Sequence, residues 1–151
     1  MHFFLYNENM DKLFCTSLSA VISYIVYLLG GFDVALQCLL VAIILDYISG
    51  ITKAFITKEV SSKTGFKGLL KKVMILFIVM LAVIVDRVTL NSGAIRTLVI
   101  YYFVANEGLS ILENLGQAGL PIPKSIKNAL KSLKDLGDEK DKKKGSKKNA
   151  V

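Results

Sequence analysis

Few residues in this chain have the types to do chemistry, and the most telling are carboxylates placed where carboxylates are rare. Asp46 stands inside one long apolar run and Glu107 inside another. An ionised side chain at the centre of a bilayer costs at least ~2.5 kcal/mol, so acids in such positions mark ion or water pathways, or polar contacts between helices. Their neighbours recur at helical spacing. Asp46, Ser49, Gly50 and Lys53 fall at i, i+3, i+4 and i+7, on one face. Asn106, Ser110, Glu113 and Gln117 line one stripe of the later run, with Glu107 and Asn114 beside it. A helix with one wet stripe must turn it toward other helices or toward water. Two readings stay open. The stripes form hydrogen bonds between helices of one packed chain, or they line water once several copies assemble. Asp86 and Arg96 flank a short turn and are expected to pair across it in a structural role.

Catalysis finds no support. The single histidine, His2, stands at the end of the chain, and no GxSxG, P-loop, HExxH or paired CxxC pattern occurs. Cys15 and Cys38 lie in separate apolar blocks without metal-site spacing, and read as free thiols in lipid. The expectation is no enzyme, no cofactor and no metal.

The elements that must position these groups follow from hydropathy. Of the 151 residues 53% are hydrophobic, and the mean hydropathy is +0.52. The apolar residues form blocks, with the charges between and after them, which predicts an all-α integral membrane bundle. The blocks give four spans at about residues 13–31, 34–56, 69–88 and 94–115, a transmembrane domain over 13–118. The first contains no charged residue and reaches about 27–29 Å at ~1.5 Å per residue, near a hydrocarbon core of about 30 Å. Residues 1–12 carry Glu8 and Asp11 against Lys12, which is no signal-peptide start, so this helix is expected to be retained. The fourth block is the most polar, which leaves a three-span version open. Pro121 and Pro123 then break the helix. Over 119–136, Ile122, Ile126, Ala129, Leu130, Leu133 and Leu136 alternate at helical spacing with Lys124, Lys127, Lys131 and Lys134. That pattern predicts a basic amphipathic helix, lying on an anionic membrane surface or packing against a partner. Residues 137–151 are expected to be a disordered lysine-rich tail.

The lysines also set the topology. Residues 52–72 hold six lysines and one glutamate, and residues 124–148 hold ten lysines and four acids. The positive-inside rule places both segments in the cytoplasm, and four spans then put the N-terminus (1–12) there too. Lys63, Lys67, Lys71 and Lys72, with the four lysines of the amphipathic helix, read as a basic surface for anionic lipid of the inner leaflet. Lys53 snorkels at that boundary. Asp46 follows Val34 by twelve residues and Glu107 follows Ala94 by thirteen, so both lie ~18–20 Å below the outer boundary. Ten lysines attract any phosphate, but no groove-reading or stacking element accompanies them, so no specific nucleic acid is expected.

Several of these pieces, in this order, resemble the small phage-lysis and toxin-secretion holins of Gram-positive bacteria and their phages. They are Asp46-Tyr-Ile-Ser-Gly50, Ser61-Ser-Lys-Thr-Gly65 with Gly68 and Lys71-Lys72, and the third span with its late Asp86. Asn106-Glu107-Gly-Leu-Ser110-Ile-Leu-Glu113-Asn114 and Gly119-Leu-Pro-Ile-Pro123-Lys124 complete them, over roughly residues 34–136. Such holins are often drawn with three spans. The resemblance implies a protein that accumulates in the bacterial cytoplasmic membrane, assembles with itself and opens a lesion at a set time. An endolysin or a toxin then escapes, without necessarily touching it. The same resemblance makes Met10 a candidate second start. Two other classes compete: a small multidrug or ion transporter with a membrane-embedded acid, and a membrane scaffold with a basic tail.

Overall fold

The computed structural model describes residues 2–90 and 92–134, and among them every regular element is a helix. Helices α1 (His2–Leu28), α2 (Val34–Ile56), α3 (Ser62–Val88) and α4 (Ala94–Gln117) follow in order. A fifth, α5, covers residues 124–134. The 137–151 tail lies outside the described residues.

Each start has a local cause. Asp33 caps α2 by accepting from the Leu36 N–H at 2.9 Å, and Ser61 caps α3 by accepting from the Thr64 N–H at 3.4 Å. The Ser61 cap starts α3 ahead of the apolar run at 69, so the basic residues 63–68 are already helical and only a short connector, 57–61, separates α2 from α3. Gly93, at φ 81°, offers α4 no side-chain cap. That deficit is met from α3, as described below.

Helix α4 is the centre of the bundle. It packs most extensively on α2 and next on α3, whereas α2 and α3 scarcely meet. The buried core joins Leu29, Leu36, Leu39, Ile75, Val79 and Ile100. Outside it, Val41, Ile44, Leu45 and Ile48 of α2 and Phe77, Ile78, Leu81 and Ile84 of α3 are exposed, whereas Asp46, Asp86, Arg96 and Glu107 are buried. Apolar residues outward and charges inward is the arrangement of a protein whose solvent is hydrocarbon. Helices α2, α3 and α4 are each long and apolar enough to cross a membrane. The apolar part of α1, Lys12–Leu28, is shorter. Its side chains from 12 to 25 are exposed, and α1 is tied to the bundle at its end. There Leu29 enters the core, and Arg87 donates to the Tyr27 carbonyl at 3.2 Å with its guanidinium 4.6 Å from the Tyr27 ring centre.

The amphipathic helix finds its partner within the chain. The backbone turns back after Gly119, at φ +92°, and α5 runs alongside α4, with Leu130 seated against Gly108. The helix therefore does not stand apart on a surface of its own.

Candidate functional site

Three charged side chains from three helices meet inside the bundle. The Lys72 ammonium of α3 bridges the Asp46 carboxylate of α2 and the Glu107 carboxylate of α4. All three side chains are at most 13% exposed. Each lies ten residues from the end of its helix nearest the 57–61 connector, roughly 15 Å along the axis, so they share one level. Asn114 secures the acid from α4, donating to Asp46 Oδ1 at 3.2 Å and to Ser49 Oγ at 3.1 Å. The Ser49 hydroxyl donates to the Asp46 carbonyl at 3.0 Å. Gly50 lies alongside, where an added Cβ would stand in ordinary contact with Asn114 Nδ2, at 3.6 Å. Two acids against one ammonium leave one negative charge when all are ionised, and hydrogen bonds supply the rest of the compensation.

Sequence reasoning placed Asp46 and Glu107 at one depth but grouped Lys72 with the surface lysines. The structure places Lys72 between them. A signal existed: Gly65, Gly68, Lys72, Ile75, Val79, Ala82 and Asp86 recur every three or four residues along the inner face of α3. Of the other α4 residues, Asn106 and Ser110 line a cavity of about 950 Å³ that opens between α2 and α3 toward the connector, with Lys72 and both acids in its wall. Lys53 lines it as well, whereas Glu113 and Gln117 are exposed. Lys63, Lys67 and Lys71 are exposed around the connector.

A second polar centre closes the opposite end, and it differs from the expected pair. Asp86 does sit beside Arg96, but its carboxylate accepts from the backbone N–H groups of Ile95 and Arg96, at 3.1 and 2.8 Å. It thus caps α4 where Gly93 cannot. The Arg96 guanidinium reaches instead to the 29–33 turn. It donates to the Leu29 carbonyl at 2.6 Å, to the Gly31 carbonyl at 3.2 Å, and to both oxygens of Asp33. The guanidinium beside it holds the Asp33 carboxyl below its usual 3.8, against a smaller opposing effect of burial. Sequence reasoning missed Asp33 because its partner lies 63 residues away.

Neither centre pairs a nucleophile with a base, and among the described residues no group of His, Cys, Asp and Glu is gathered to hold a metal ion. The arrangement joins helices by charge at two levels, with the apolar core between them.

A profile of the bacteriophage holin family matches residues 23–135, and the chain belongs to that family. It is 44% identical over 109 residues to an uncharacterized 14.9 kDa protein in the nagH 3' region of Clostridium perfringens, covering 71% of this chain and 82% of that one. An uncharacterized protein of Halalkalibacterium halodurans is 33% identical over 135 residues, which is 86% of this chain and 98% of the relative. A probable holin of Bacillus phage phi105 is 34% identical over 105 residues, covering 70% and 78%. No solved structure matches.

Proposed function

We propose that this protein is a holin that assembles with itself in the bacterial cytoplasmic membrane and opens a lesion through which an endolysin or a toxin leaves. The reading rests on the family and on one observation, the burial of Asp46 and Glu107 around Lys72 within a single chain. A chain that compensates its own membrane-embedded charges is inert as one copy, so it accumulates without leaking. Permeability then belongs to the assembly. The polar faces of α2 and α4 serve helix–helix contact inside each copy.

In this reading the chain crosses the membrane four times. The apolar part of α1 spans about 25 Å, at the lower limit for a crossing. Both termini and the 57–61 connector are cytoplasmic, following the lysines. Lys63, Lys67 and Lys71 then face anionic lipid of the inner leaflet. Cargo needs no contact with the chain.

Controlled expression in a bacterial host, with a potential-sensitive dye and a co-expressed cytoplasmic wall hydrolase, tests this. Abrupt loss of potential followed by release of the hydrolase is expected. The cavity of about 950 Å³ is of ligand-binding size and favours a small transporter as the second reading. Proton-coupled efflux with the potential intact would establish that reading and overturn the first.

A further inference from the structure

Among the described side chains of α1, only those of its last turn are covered by the bundle. Leu29 enters the core, Arg96 donates to the Leu29 and Gly31 carbonyls, and Arg87 holds Tyr27. These contacts anchor the end of α1, yet the side chains from Lys12 to Ile25 stay exposed. The helix is amphipathic all the same. Glu8, Lys12, Thr16, Ser19 and Ser23 recur every three or four residues on one face, with Phe14, Leu18, Val21 and Ile25 on the opposite one. A polar face on a membrane helix must turn toward protein or water, and its own chain leaves this one uncovered.

The matching surface is the cavity between α2 and α3. These two helices scarcely meet, and the cavity opens between them with Asp46, Lys72 and Glu107 in its wall. At the end away from the connector, the core of Leu29, Leu36, Val79 and Ile100 closes the bundle. One copy therefore holds a blind pocket and stays sealed. The negative charge left when two acids share one ammonium is tolerable while water reaches the pocket. A helix that fills the pocket displaces that water, and the acids then need a second cation.

Helix α1 carries one at the right level. It and α3 are each 27 residues long, and both finish at the Asp33–Arg96 end of the bundle. Lys12 and Lys72 each lie ten residues from the start of their helix and sixteen from its end. Lys12 is the sole lysine or arginine of α1. Glu8, six residues in, falls between the levels of Lys53 and Lys71, which line the cavity three and nine residues from the connector ends of their helices.

We infer that α1 of a second copy docks in the groove between α2 and α3 and sets its Lys12 against Asp46 and Glu107, two cations for two acids. The anchored end holds α1 clear of the groove of its own chain, so a neighbour fills it. This deepens the holin reading and rests on its self-assembly. Each copy gives one helix and receives another, so the contact extends from copy to copy.

The test uses full chains in bacterial membranes, all carrying Cys15→Ser and Cys38→Ser. Two chains with different N-terminal tags are co-expressed and oxidised, one with Asn9→Cys on α1 and one with Ile51→Cys on the cavity wall. These positions lie seven and five residues from the connector ends of their helices. A disulfide joining the two tags is expected. Disulfides between like chains only, or none, overturn the inference. With both cysteines in one chain, a bond that closes only within that chain puts α1 in its own groove and overturns it too. Lys12→Met is expected to cut the mixed disulfide about fivefold, and Glu107→Gln to do the same, since each leaves the centre with unequal charges. The two together balance one cation against one acid and should restore it; losses that simply add overturn the role of Lys12. Mixed disulfides without loss of membrane potential on expression would remove the holin reading and leave the docking. Loss of potential with no mixed disulfide would remove the docking alone.

Discussion

The Arg96 guanidinium grips the Asp33 carboxylate through two hydrogen bonds, at 2.6 and 3.1 Å, and so ties the first turn of α4 to the turn that joins α1 and α2. Arg96 is 8% exposed at its side chain and Asp33 51%, so the pair has one foot in the core and one in solvent. Because the Asp33 carboxyl is held below 3.8, its contribution to stability is fully present above pH ~4 and fades as the pH falls through the depressed value. Asp33→Asn should lower stability at pH 7 by roughly 0.5–1 kcal/mol, a modest figure because solvent screens the exposed partner. Thermal unfolding in detergent from pH 7 down to about 3 checks this. The gap between parent and variant should close as the pH drops, and a constant gap would assign the effect to lost capping of Leu36 instead.

Gly30 makes the same turn possible. It sits at φ +85°, and a Cβ there would lie 2.7 Å from Arg96 Nε and 3.0 Å from Val83 Cγ2. A left-handed backbone and a collision with a buried cation combine, so Gly30→Ala should cost about 2–3 kcal/mol. Gly31 also has positive φ, +103°, but open space around it. Gly31→Ala should therefore cost about 1 kcal/mol, the backbone share alone. Comparing the two by thermal unfolding in detergent separates strain from collision, and equal losses would remove the steric argument.

Asp86 gives a third expectation. It is 4% exposed and holds two first-turn N–H groups of α4, whose N-cap Gly93 supplies no side-chain acceptor. Asp86→Ala should cost about 2 kcal/mol, at the upper end for a helix cap because the site is buried. Hydrogen exchange at Ile95 and Arg96 should rise first, and rates that stay at the parent's would show another acceptor taking over.

How much of this was legible in the sequence divides by distance along the chain. The turn at Gly30–Gly31 and the helical starts at Asp33 and Ser61 are local and readable, and the Ser61 cap makes helix of the basic run from Lys63 to Lys72. Asp46 and Glu107 matched in depth by counting residues from the helix starts, since rise per residue is fixed. Lys72 was missed because charge density alone assigned it to the surface, although its spacing to Ile75 and Val79 put it on the core face. The Arg96–Asp33 contact was illegible for another reason. It requires knowing that α4 stands beside α2, and no periodicity within either helix carries that. The seat of α5 depended on Gly108, whose lack of a side chain matters only once Leu130 is opposite it.

The bridge itself supplies the last prediction. Lys72→Met removes the only cation that touches both carboxylates in the described structure and leaves Asp46, which still accepts from Asn114, facing Glu107. Breaking a buried ionic group by removing one partner typically costs ~3–5 kcal/mol, because the remaining charges stay desolvated. Lys72→Met should therefore unfold or accumulate poorly, and Lys71→Met, one residue away and exposed, should behave like the parent. Adding Glu107→Gln and Asp46→Asn to Lys72→Met takes away the stranded charges while keeping hydrogen-bonding atoms and shape, and should recover most of the loss. Membrane accumulation and unfolding in detergent measure this directly, and the timing of depolarisation in cells reads the consequence. A triple variant as unstable as Lys72→Met alone would mean that Lys72 contributes by filling space between the helices, and that charge compensation is not what keeps each copy closed.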